Sequence, residues 1–163
     1  MDVFDEEIIK FWRCLSEADV RYIMVGDYAS NLNGYKTFTE VLGIWIEDTA
    51  ENRNNIRIAF NSCKMGDYHM LATMQIIPGW TNFNLNNGLK LDLMLDVKGL
   101  EGFTFQECLG QANKAEIDGI IVPFLHINHL IASKKAANRP KDQIDVIYLE
   151  KIKQLLEEQE SQK

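Results

Sequence analysis

Phe4, Ile8, Ile9, Phe11, Trp12 and Leu15 recur at the three- and four-residue spacing of one helix face, which predicts an amphipathic helix over about residues 4–18. The run RYIMVG (21–26) reads as a short buried strand ended by Gly26. DYASNLNGY (27–35) predicts a short helix, with Asp27 as its N-cap and Gly34 as its stop. In VLGIWIED (41–48) strand alternation puts Val41, Gly43, Trp45 and Glu47 on one face and Leu42, Ile44 and Ile46 on the other. Thr49 then caps a helix running to Cys63.

The middle of the chain is loop-rich, with turn signals at Pro78-Gly79 and Asn87-Gly88. The short apolar run MQII (74–77) is expected to pair with the next strand, LKLDLMLDV (89–97). There Leu91, Leu93 and Leu95 alternate with Asp92, Met94 and Asp96. A short helix is expected over 103–112, then a hairpin over 115–125 turned at Asp118-Gly119. Two helices, about 126–137 and 141–157, finish the chain. They are broken at Asn138-Arg139-Pro140, because proline restricts the residue before it and cannot continue the hydrogen-bond ladder. The last residues, LLEEQESQK, are expected to fray. Antiparallel and mixed strands covered by helices define an α/β or α+β fold, a single domain over 1–163.

Composition narrows the function classes. Hydrophobic content is 46% and charged content 25%, globular values. A net charge of −7 argues against an extended nucleic-acid surface, which needs clustered Lys and Arg. Cys14, Cys63 and Cys108 are scattered and without a CxxC pair, which points to reduced cysteines in a cytoplasmic protein rather than a disulfide framework or zinc site. The acidic, amphipathic N-terminus is unlike a signal peptide, and no apolar run approaches the roughly 20 residues of a membrane span.

VGDYASNLNGYKTFTEVLGIWIED (25–48) resembles the core of the nucleotidyltransferase superfamily, the fold shared by polymerase beta and antibiotic nucleotidyltransferases. It is similar in particular to small bacterial nucleotidyltransferase-like proteins of the toxin–antitoxin-associated kind. Their core runs from a strand through Gly-Gly or Gly-Ser and a short helix to Asp-x-Asp on the next strand. LKLDLMLDVKGLEGFTFQECL (89–109) resembles the strand bearing the third carboxylate, and VPFLHINHLIASKKAANRPKDQIDVIYLEKI (122–152) the C-terminal helices. The resemblance covers roughly residues 20–150. It implies a nucleotidyltransferase fold: a small mixed sheet flanked by helices, with a C-terminal helical pair.

Nucleotidyl transfer attacks the α-phosphate of a nucleoside triphosphate, with two magnesium ions stabilising the attacking and leaving oxygens. Magnesium takes hard oxygen ligands, so such a site needs carboxylates on one sheet face. Matched to this pattern, Gly26 is the first turn glycine and Asp27 stands at the second position. Val41 and Gly43 occupy the two strand-carboxylate positions, and Asp92 matches the third. A negative Asp27 beside a triphosphate would cost about 4 kcal/mol at about 4 Å and an effective dielectric of about 20. Glu40 and Asp48 point to the other strand face, and Glu47 and Asp96 lie about 13 Å from Gly43 and Asp92 respectively, at roughly 3.3 Å per residue.

The expected function is therefore a nucleotidyltransferase-like pseudoenzyme. It would retain weak nucleoside triphosphate or protein-partner binding, without tightly bound magnesium. Gly26, Asp27, Lys134 and Arg139 are the candidate nucleotide contacts, with Asp92 the relic catalytic carboxylate. One alternative is an active magnesium-dependent enzyme using Asp27 and Asp92 as metal ligands; another is an antitoxin-like or structural interaction module. Trp45 and Tyr28 read as core rather than base-stacking residues. His69, His126 and His129 have no ligand spacing. The basic cluster Lys134, Lys135, Arg139 and Lys141 suits a helix C-terminus, with Arg139 free to pair with Asp142 or Asp145.

Overall fold

A computed structural model of the chain describes residues 5–77 and 81–163. Phe4 of the expected first helix and the Pro78-Gly79 turn lie outside the described residues. The elements are α1 (Glu6–Glu17), β1 (Tyr22–Val25), α2 (Gly26–Leu32), β2 (Val41–Ile46), α3 (Ala50–Ser62), β3 (Asn82–Asn84), β4 (Lys90–Met94), α4 (Phe105–Gln111), β5 (Asn113–Ile117), β6 (Ile120–Phe124), α5 (Ile127–Ala137) and α6 (Pro140–Ser161). A short 3₁₀ turn, His69–Ala72, lies between α3 and β3.

The strands form one mixed sheet in the order β3-β4-β2-β1-β6-β5. β1 runs antiparallel to β2 and parallel to β6, while β2 runs parallel to β4. Strand alternation sorts the core into two layers. Tyr22, Met24, Leu42, Ile44 and Leu93 pack with Phe11, Trp12 and Leu15 of α1 and Phe60 of α3. Ile23, Val25 and Trp45 face the other way, against Cys108 of α4, Leu130 and Ile131 of α5 and Leu149 of α6. Each such apolar side chain stabilises the fold by roughly 1.5–3 kcal/mol on burial. Asn52, at the start of α3, accepts from Arg21 N and donates to the carbonyls of Arg21 and Glu47, tying α3 to the ends of β1 and β2.

The caps explain several boundaries. Thr49 accepts from Asn52 N, and Thr104 and Glu107 form a capping box at α4. Asp118 and Gly119 both have positive φ, 52° and 77°, as a two-residue hairpin turn requires. Pro140 stands at the first turn of α6, where its missing N–H costs no hydrogen bond. The sheet flanked by helices, with α5 and α6 as the C-terminal pair, is the expected fold class.

Three expectations change. MQII forms no strand; the partner of β4 on that side is Asn82–Asn84, whose central Phe83 packs into the core opposite Leu91. The tail does not fray after 157: α6 continues to Ser161. Cys14 and Cys63 are not reduced. α1 and α3 pack side by side, bring the two Cα atoms to 6.3 Å, and a disulfide joins them, whereas Cys108 is free and buried. Among the described residues no helix is long and apolar enough to cross a membrane.

Candidate functional site

β2 and β4 lie side by side, and their register sets Gly43 directly opposite Asp92 and Val41 opposite Lys90. Val41 and Gly43, two residues apart, share a face with Asp92 and Met94. These four residues floor a cleft of about 320 Å³. Its walls are the β1–α2 junction (Val25, Gly26, Asp27), the end of α5 (Ser133, Lys134, Ala137), Arg139 and Asp142. Gly26 has φ +67°, a conformation that a side chain disfavours, so glycine is what turns the chain here from strand into helix.

Ion pairs bind one wall together. Lys134, only 5% exposed, donates to Asp27 Oδ1 (2.8 Å) and to Asp145 Oδ2 (3.0 Å) and lies 3.6 Å from Asp142 Oδ1. Lys141 also donates to Asp27 Oδ1 (2.7 Å) and to Asp145 (3.4 Å). Arg139 grips both oxygens of Asp142, through Nε at 2.7 Å and Nη2 at 3.2 Å. Burial alone would raise the Asp27 carboxyl, but the hydrogen bonds from Lys134 and Lys141 outweigh it and hold it below its usual value. Burial also pulls against the Arg139 fork at Asp142, and the fork wins, again lowering the carboxyl. For Lys134 burial favours the neutral form, and the two carboxylates more than reverse that, raising the ammonium. Asp27 is thus not the N-cap: Val25 holds that position without a side-chain bond, and the Asp27 carboxylate turns instead to the α5–α6 junction.

Asp92 sits in the opposite environment. Its Oδ1 is buried with no hydrogen-bond partner, and burial pushes its carboxyl above the usual range. Beside it Gly43 offers no ligand atom, and a Cβ added there would meet Val25 Cγ2 at 3.2 Å. Among the described residues no three His, Cys, Asp or Glu side chains come together as a metal-holding group. Asp27 and Asp92 both line the cleft, but Asp27 Oδ1 already accepts from two ammonium groups.

The other acids lie elsewhere. Glu47 bonds Arg21 and Gln106, Asp48 pairs with Arg53, and Glu40 with Lys90. Trp45 is core, its Nε1 donating to Leu95 O and its ring edge-on to Phe105; Tyr28 is likewise fully buried. His126 caps α5 and His129 is buried against Phe103. Lys98, Thr39 and Ser133 join the cleft without having been singled out in the sequence. Lys98 and Thr39 lie in loops just outside predicted strands, where periodicity carries no signal.

No family model and no curated protein matches the chain. Among solved structures it is similar to a Thermotoga maritima protein, TM1012, described as a "putative nucleotidyltransferase". The TM-score is 0.54 at 16% sequence identity, over 93% of this chain and 91% of that one. At that identity the likeness is one of fold: the chain has the nucleotidyltransferase fold.

Proposed function

We propose that the protein is a pseudo-nucleotidyltransferase, keeping the cleft of the fold without the two-metal chemistry. The observation that carries this is the Gly43–Asp92 register. A carboxylate at Gly43 or Val41 would share the cleft floor with Asp92, and the chain supplies hydrogen and isopropyl groups there instead. Magnesium, which needs several hard oxygens, does not fit a floor with one carboxyl that burial holds towards its neutral form. The cleft would bind a nucleoside phosphate weakly and without metal. Lys98, Lys134 and Arg139 line the cleft and supply the cationic groups that a phosphate would meet.

The reading of an active enzyme with Asp27 and Asp92 as ligands has less support, since Asp27 would first have to leave Lys134 and Lys141. Calorimetric titration with a nucleoside triphosphate, with and without magnesium, separates the two. Equal weak affinity in both, with no release of pyrophosphate in the presence of acceptor mixtures, is the expected result. Binding that requires magnesium and disappears in Asp92→Asn would overturn the proposal.

A further inference from the structure

β5 is the last strand at one edge of the sheet, with β6 as its neighbour. Which of its backbone groups face out of the sheet follows from the register. Leu125 donates its N–H to Met24 O of β1, so the backbone groups of odd-numbered residues in β6 face β1, and those of Ile120, Val122 and Phe124 face β5. Their partners there are Ile117, Ala115 and Asn113. The N–H and C=O groups of Lys114 and Glu116 therefore point away from β6, out of the sheet edge. Both residues are exposed. An edge of this kind is a template for one more strand.

The side chains at that edge say which strand fits. Lys114 and Glu116 are two residues apart and share one sheet face. Among the described residues neither side chain has a hydrogen-bond or ion-pair partner, unlike the lysines of the cleft wall. Charges of one sign along an edge keep other edges away. A Lys and a Glu at alternate positions instead complement their own reversed copy. Turned about Ala115, β5 sets Lys114 opposite Glu116 of a second copy and Glu116 opposite its Lys114. Each such pair exchanges both of its N–H···O bonds and joins opposite charges on one face. Asn113 then faces Ile117, and Ala112 faces Asp118, whose carboxylate Arg13 already holds at 2.6 Å. Moving the centre by one residue sets Lys114 on its own copy, or Glu116 on its own copy, and like charges directly opposite are destabilising.

We propose that two copies of this chain pair edge to edge through antiparallel β5 strands, joining their sheets into one across a two-fold axis at Ala115. The contact does not depend on how the cleft is read, since β1 and β6 separate β5 from the β2–β4 floor. A single short strand makes a small interface, so association is weak, half complete at about 100 µM.

Analytical ultracentrifugation of the full chain over a concentration series tests this, with Lys114→Glu and Glu116→Lys alongside. Each variant alone sets like charges opposite one another and should weaken the dimer about tenfold or more. The melting temperature of the dilute monomer should be unchanged, because both positions are exposed. An equimolar mixture of the two variants restores every opposite-charge pair, so mixed dimers should return to the wild-type midpoint. A wild-type chain that stays monomeric well above that midpoint overturns the proposal and leaves the edge to a strand of another protein. Dimers that form equally well in both single variants, or a mixture no tighter than either variant alone, also overturn it. The register is read by cross-linking: Ala115→Cys should form a disulfide with its own copy and Asn113→Cys should not, with Cys14 and Cys63 tied together and Cys108 buried. The reverse result would refute the centre at Ala115.

Discussion

Replacing Lys134 by Met removes the ammonium at the centre of the cleft wall while keeping most of the aliphatic stem. The ammonium makes two charge-assisted hydrogen bonds, at 2.8 and 3.0 Å, in a nearly solvent-free position. Bonds of that type contribute about 1.5–3 kcal/mol each, and removing one partner of a buried pair costs about 3–5 kcal/mol. Some of this is recovered, because Lys141 still reaches Asp27 and Asp145, and Arg139 still holds Asp142. A net loss of about 2–4 kcal/mol follows, which at a urea m-value of about 2 kcal/mol/M lowers the midpoint by about 1–2 M. The pH dependence has a fixed sign. Asp27 and Asp142 are held below their usual value, so their stabilisation is present above about pH 4 and lost as pH falls through the lowered values. Lys134 is raised, so its share is present below its usual 10.5 and lost only as pH climbs through the raised value. The gap between wild type and variant should therefore be flat across neutral pH and narrow on acidification towards pH 2. Urea melts at several pH values measure it. A gap under 0.5 kcal/mol at pH 7, or one that persists unchanged at pH 2, would refute the assignment of Lys134 as the electrostatic centre.

Asp92→Asn should raise stability at pH 7 by about 1 kcal/mol, since the amide fills the same space without a charge to bury. The gain should vanish below pH 4, because the raised Asp92 carboxyl destabilises the fold only as pH rises above its usual value; thermal melts at pH 3 and pH 7 check both limits. Val41→Asp with Gly43→Asp should create a magnesium- or manganese-dependent rise in melting temperature, although the new Cβ at residue 43 must displace Val25 Cγ2 by a few tenths of an ångström. A folded double variant indifferent to both ions would count against the placement of the cleft floor. Thiol titration of the denatured chain should count one free cysteine before reduction and three after; three at the outset would contradict the Cys14–Cys63 bond.

What periodicity encodes came through the sequence well. The two faces of β2 separate as Leu42, Ile44 and Ile46 against Trp45, and the breaks at Asp118-Gly119 and Pro140 are local backbone preferences. The cleft floor was legible only in part: strand spacing put Val41 and Gly43 on one face, the family resemblance linked them to Asp92, and the β2–β4 register then brought the three together. What escaped was long-range. Asp27 looks like a cap in any local window, and its partner Lys134 is 107 residues away. Cys14 and Cys63 carry no motif; only the packing of α1 on α3 joins them. MQII is more apolar than Asn82–Asn84, yet the edge strand asks only for one inward side chain, which Phe83 supplies.

The Asp27–Lys134 bond also makes the cleft wall a single mechanical unit. Its two ends lie 107 residues apart in the sequence, one at the β1–α2 junction and the other near the end of α5. Removing Asp27 would leave Lys134 to Asp145 and Asp142, and removing Lys134 would leave Lys141 on Asp27 and Asp145 and Arg139 on Asp142. A substitution at either end therefore changes what the other ion pairs of the wall present to the cleft.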